Sequence, residues 1–325
     1  MSQSLLSITI KNSRGVSATF LNYGARLVSL KMPIAGTPTE MLLGYQDYRE
    51  YLSDPFYMGA VCGRVCNRVS NARFEYNGKA YQLDNNHGGH CLHGGSGGFS
   101  QQFWQLQQQT DKQVCFALIS SHLDQGFPGN LSVKVTYTLD NNNRLLVEML
   151  AKTDRVTPVN LTHHAYFNLG QNNCENLLLK LNSTGFLARD SQGIPSGQVA
   201  PLSNLGMNMS EPNRVANFWQ KGSYQQIQND QGLDHCFVMK DNSQQTPKAL
   251  LCSEQSGIEM RLYSNQLAMQ VYSGKFLGVP FVPNQGICLE AQGFTDAPNQ
   301  REFPSIMLEP GHCYKHKTVF EFSVK

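Results

Sequence analysis

The segment 157–169, TPVNLTHHAYFNL, separates its side chains by parity. Odd positions hold Val159, Leu161, His163, Ala165 and Phe167; even positions hold Asn160, Thr162, His164, Tyr166 and Asn168. Successive side chains of a strand point to opposite faces. The pattern predicts a strand with one apolar and one polar face. It also parts two neighbouring histidines, sending His164 to the polar face and His163 into or beside the packed layer.

The same alternation recurs downstream. In 286–292, GICLEAQ, Ile287, Leu289 and Ala291 oppose Cys288, Glu290 and Gln292; in 267–273, LAMQVYS, Leu267, Met269 and Val271 oppose Ala268, Gln270 and Tyr272. None of the three polar faces carries a lysine or arginine. Solvated sheet faces usually mix lysine with glutamate. A neutral hydrogen-bonding face with one carboxylate and one imidazole better fits a concave site for a polyhydroxylated ligand.

Period-two runs at 16–22, 73–82, 114–120, 131–139, 144–151, 177–182, 258–264 and 317–324 predict further strands, with Asn77-Gly78 as a hairpin turn. Helical patterns are confined to 46–52 and 213–221. No linker-like tract and no repeat of solenoid or propeller length divides the 325 residues. The expectation is one all-β domain over 1–325, a large antiparallel β-sandwich with few short helices.

Charge narrows the partners. The formal net charge is +2, only 15% of residues are charged, and no Lys/Arg run occurs. Nucleic acid and anionic membrane surfaces are therefore not expected. No apolar run approaches the roughly 20 residues of a membrane span. The start, MSQSLLSITIKN, lacks the basic and apolar parts of an export leader, so a soluble cytoplasmic protein is expected. The cysteine count is 9, odd and without a CxxC pair, which reads as reduced thiols packed as small hydrophobes.

The stretch 84–99, DNNHGGHCLHGGSGGF, spaces His87, His90 and His93 three apart among six glycines. Those glycines oppose a helix that could converge three imidazoles on a metal. The lysine of a phosphate-binding GxxxxGK[ST] loop is absent. What remains is a loop whose glycines let the backbone approach a ligand closely, presenting His93 before Gly94-Gly95. His87 and His90 read as solvent-exposed loop residues.

Taken in chain order, 59–69 (GAVCGRVCNRV), 91–95 (CLHGG), 126–131 (GFPGNL), 157–169, 232–237 (GLDHCF) and 286–300 (GICLEAQGFTDAPNQ) resemble the aldose 1-epimerase, or galactose mutarotase, family. The resemblance runs from about residue 20 to the C-terminus and implies a β-supersandwich of the galactose-mutarotase type, active on a free monosaccharide without metal or organic cofactor. It implies Glu290 as general base and His164 as general acid, the latter in agreement with parity. It further implies sugar contacts at Asn67, Arg68, His93, Asp234 and Gln270. Phe276, Phe281 and Tyr272 stay open as the aromatic wall. Three positions depart from the family pattern: Cys66 where Ala is common, His163 where Asn is usual, and Thr295 where Pro is frequent.

Anomer interconversion opens the hemiacetal ring, so a base must take the anomeric proton while an acid protonates the ring oxygen. The pair is expected as an ionised Glu290 beside an imidazolium His164, each favouring the other's charge. Two alternatives stay open. One is a hexose-6-phosphate 1-epimerase of the same superfamily, drawing on Arg64, Arg68 and Lys275; the other is a non-catalytic sugar-binding module. A third, a histidine-based metallohydrolase, would require bound zinc.

Overall fold

A computed structural model describes residues 4–325; Met1, Ser2 and Gln3, the start of the segment read for an export leader, lie outside the described residues. Two antiparallel sheets carry the architecture. The larger has nine strands in the spatial order Gln105–Gln109, Gln113–Ser120, Leu131–Leu139, Arg144–Thr153, Tyr314–Val324, Ile258–Ser264, Ala249–Cys252, Leu178–Leu181 and Asn213–Arg214. The smaller has six, ordered Tyr166–Phe167, Ile287–Gln292, Ala268–Tyr272, Asp234–Met239, Ser183–Arg189 and Pro195–Pro201. A four-stranded sheet, Ser7–Lys11 to Thr37–Glu40, adds an N-terminal flank.

Alternation builds the core. Leu131, Val133, Val135 and Phe320 of the nine-stranded sheet meet Met269, Val271, Ile287 and Leu289 of the six-stranded sheet, with Phe20 and Leu27 of the flank in the same cluster. Each such burial contributes about 1.5–3 kcal/mol. Committing Met269, Val271, Ile287 and Leu289 inward leaves the opposite face of the six-stranded sheet for Gln270, Tyr272, Cys288 and Glu290. The all-β sandwich expectation holds. Asn77 and Gly78 have φ of 50° and 73°, as a type I′ turn requires, and place Tyr76 opposite Lys79.

Several local expectations are corrected. Segment 157–169 is not one strand but three two-residue pieces with three partners: Thr157–Pro158 pairs with Met307–Leu308, Thr162–His163 with Val61–Cys62, and Tyr166–Phe167 with Ile287–Cys288. All residues from Thr157 to Phe167 are buried, so its polar set meets other segments rather than solvent. Leu267 precedes its strand and is exposed. Segment 46–52 forms only a 3-10 turn, Tyr48–Ser53, and 213–221 splits into the edge strand Asn213–Arg214 and the single-turn helix Asn217–Gln220. No helix among the described residues is long and apolar enough to cross a membrane. The cysteines are free thiols, buried except for Cys115 and Cys313.

Candidate active site

Adjacent strands deliver three of the singled-out side chains to one face. Gln270 lies opposite Glu290, and Asp234 lies opposite Tyr272. Gln270 Nε2 donates to Asp234 Oδ1 at 2.7 Å, so the amide also orients the carboxylate. His164 arrives from the segment between two short strands. Its backbone is fixed on both sides, N–H to Ala60 O and carbonyl from Gly59 N, each at 2.9 Å. Its Nε2 stands 3.6 Å from Oε1 of Glu290, and both side chains are nearly inaccessible.

The opposite lip is a two-stranded ribbon in which Arg68 pairs with Leu92. Asn67 and His93 at its end both adopt left-handed backbone, φ 58° and 50°. They bond reciprocally: Asn67 N donates to His93 Nδ1 at 3.3 Å, and His93 N donates to Asn67 O at 3.0 Å. With Nδ1 accepting, a neutral His93 carries its hydrogen on Nε2. The glycines of the loop divide: Gly88 lines the cleft with open space about it, whereas Gly94 packs on the protein itself. At Gly94 (φ +87°) a Cβ would lie 2.0 Å from the Gly63 carbonyl oxygen, so the close approach is to the protein's own backbone.

Asn67, Arg68, His93, His164, Asp234, Gln270 and Glu290 all line one cleft of about 630 Å³. Tyr272 and Phe276 line it too, stacked at 6.3 Å and 28°. Phe281 does not; its ring packs on Tyr45 in a separate buried cluster. His87 is exposed as expected, whereas His90 is 6% exposed and bonded at both ring nitrogens, to Asn71 N and to Gln192 Oε1. Arg64 is buried outside the cleft, donating to Ser120, Ser121, Pro128, Gly129 and Thr157. Lys275 lines the cleft but pairs with Asp230 at 2.6 Å, a carboxylate that Arg189 shares at the same distance.

Burial sets the electrostatics. It pushes the Glu290 carboxyl well above the ordinary range, and the Asp234 charge adds to the effect. It pushes His164 down to about 4. His93 is held well below its ordinary value by burial, then by His164 and Arg68. The direction is opposite to the mutual charging expected from sequence: desolvation favours a protonated Glu290 beside a neutral His164. Among the described residues Glu290 Oε2 has no hydrogen-bond partner.

His93, His164 and Glu290 offer ligand atoms within 4.8 Å of one another, the set a divalent cation would use. A zinc tetrahedron with bonds of about 2.0–2.2 Å requires them to draw closer together.

Sequence reasoning missed Tyr57, whose ring lies 4.5 Å from that of His93 and 5.8 Å from that of His164. It sits at φ +59° on a loop, where no periodicity marks it. Arg189 and Asp230 were missed similarly; each ends an element rather than standing within one.

The sequence model of the family described as aldose 1-epimerase matches residues 6–321. The chain is 35% identical to the aldose 1-epimerase of Haemophilus influenzae over 328 aligned positions, covering 97% of this chain and 95% of that one. It is 34% identical to the galactose mutarotase of Sus scrofa, covering 94% and 90%. Among solved structures, an aldose epimerase homologue from C. elegans superposes with TM-score 0.93 at 28% identity, covering 99% of both chains.

Proposed function

The chain belongs to the aldose 1-epimerase family, whose members are isomerases, and we propose that it interconverts the α and β anomers of free hexoses such as galactose and glucose. The observation that carries this reading is the His164–Glu290 pair, 3.6 Å apart at the floor of a cleft large enough for a pyranose.

In the proposed reaction Glu290 takes the proton of the anomeric hydroxyl while His164 gives a proton to the ring oxygen. The C1–O5 bond breaks, its electrons pass to O5, and the hydroxyl oxygen becomes the aldehyde. Rotation about C1–C2 presents the other face, and the reverse transfers close the ring. Ring opening converts a carboxylate and imidazolium into a carboxylic acid and imidazole. Burial favours the second state and Coulomb attraction the first, so the two opposing terms narrow the gap between cyclic and open forms. His93, with Nε2–H available, and Arg68 donate to the oxygens that gain charge. Asp234, Asn67 and Gln270 hold sugar hydroxyls, and Tyr272 with Phe276 forms the aromatic wall.

The activity is read as that of one domain over 1–325, without metal or organic cofactor, in the cytoplasm, where nine free thiols suit a reducing compartment. The hexose-6-phosphate reading is weakened because, of its three cations, Arg64 is committed outside the cleft and Lys275 is paired, which leaves Arg68 alone. Polarimetry of freshly dissolved α-D-galactose, α-D-glucose and glucose 6-phosphate tests the proposal. Acceleration on free sugars supports it, acceleration confined to the phosphorylated sugar transfers the activity to that substrate, and sugar binding without acceleration identifies a binding module.

A further inference from the structure

We propose that the hairpin loop 190–194, tied to His90, is a strap that positions Arg68; this rests on the role given to Arg68 above. The Arg68 guanidinium has little of its own to hold it. Among the described residues its buried Nε has no partner, and its one hydrogen bond reaches Asn67 Oδ1 at 3.5 Å. No ion pair among the described residues includes it. A long cationic side chain held so loosely samples several rotamers unless sterics confine it.

Gly193 supplies the confinement. It has φ +83°, and a Cβ built there falls 2.9 Å from the guanidinium carbon, 3.0 Å from Nη1 and 3.1 Å from Nε. Near-equal distances to three guanidinium atoms mean that the glycine backbone lies over the face of the group. Any larger residue would displace it. The loop is in turn rigid: Asp190 Oδ1 accepts from Gln192 N and Ile194 N, both at 2.9 Å.

One further bond ties this loop to the opposite lip. Asn71 N donates to His90 Nδ1 at 3.1 Å, which leaves the ring hydrogen of a neutral His90 on Nε2. That nitrogen donates to Gln192 Oε1 at 3.2 Å. His90 thus stands on the loop that presents His93 three residues later and reaches across to the strap over Arg68. This assigns the second histidine of the glycine-rich stretch a positioning role.

A double-mutant cycle on mutarotation tests the strap. Gly193→Ala is expected to lower kcat/KM about tenfold or more, since a displacement near 1 Å can cost on the order of a hundredfold. In an Arg68→Met background it should have no further effect. Gln192→Ala should cost roughly threefold, the worth of one neutral hydrogen bond, and Gln192→Glu, which can still accept from His90, should restore the rate. Equal losses in both backgrounds, or no loss from either Gly193→Ala or Gln192→Ala, overturn the strap. If Arg68→Met alone leaves the rate unchanged, the functional reading of Arg68 is wrong and the strap falls with it. Should Gly193→Ala fail to fold, the same cycle with Gln192→Ala decides.

Discussion

His164 Nε2 and Glu290 Oε1 lie 3.6 Å apart, brought together from segments that pair through Tyr166 opposite Cys288. The bridging pair falls two residues from each group, so a single register fixes both ends of the proton-transfer couple. Removing either end should stop catalysis without unfolding the sheet. Glu290→Gln and His164→Asn are each expected to cost on the order of 10²–10⁴ in kcat, with near-UV circular dichroism unchanged and sugar binding retained by calorimetry. Either variant turning over near the wild-type rate removes that residue from the mechanism.

The buried couple also predicts an unusual pH profile. The working enzyme carries one proton between the two groups. A second proton must go onto His164, which burial holds down to about 4. The acid limb of kcat/KM should therefore fall near that value rather than near the ordinary 6.5 of an imidazole. The alkaline limb follows loss of the shared proton and is displaced upward with Glu290. An acid limb between 6 and 7 contradicts the burial argument; stopped-flow polarimetry from pH 3.5 to 9 measures it, with each rate corrected for spontaneous mutarotation.

His163 carries a cost in stability. Neither ring nitrogen has a partner among the described residues, and the ring sits among Tyr137 at 5.8 Å and Phe320 at 6.2 Å. Burial lowers it to about 3. Because the folded value lies below the unfolded 6.5, the unfolded chain binds the extra proton, and stability is lost as pH falls from 6.5 toward 3. His163→Leu is expected to raise stability by about 1 kcal/mol at pH 8 and by more at pH 5. Denaturant melts at the two pH values measure the difference; equal shifts at both contradict the linkage.

Much of this was legible in the residues, and the failures have physical causes. Leu131–Leu139 was read to the residue because one face is buried and the other is not, giving a burial pattern of strict alternation. Parity put His163 and His164 on opposite sides correctly, although 157–169 breaks into pieces, because even a broken extended chain alternates. Gln105–Gln109 escaped notice because it is an exposed edge strand with no apolar face to mark it. Pro195–Pro201 is likewise an edge, bounded by prolines that such positions tolerate. The desolvation that opposes charging of Glu290 and His164 was not legible, because sequence reveals the partner but not the depth of burial. His90 was misjudged because its partner, Gln192, belongs to a loop with no pattern of its own.

A last prediction concerns a buried ion pair behind the site. Arg26 and Asp54 are both fully inaccessible and bond at 2.6 Å. Asp54 also accepts from Tyr45 OH at 3.0 Å, Phe56 N at 3.0 Å and Met58 N at 2.7 Å, so the carboxylate organises the loop that carries Tyr57 against His93 and His164. Asp54→Ala strips these bonds and strands a guanidinium in the core, a defect that typically costs about 3–5 kcal/mol. Arg26→Met removes the charge instead and leaves Asp54 its backbone and tyrosine donors. Asp54→Ala should accordingly destabilise more than Arg26→Met in urea melts, and its surviving folded fraction should show a lower kcat because the Tyr57 loop has lost its anchor. If Asp54→Ala retains wild-type kcat per folded molecule, the loop is held by other contacts and Tyr57 does not depend on the pair.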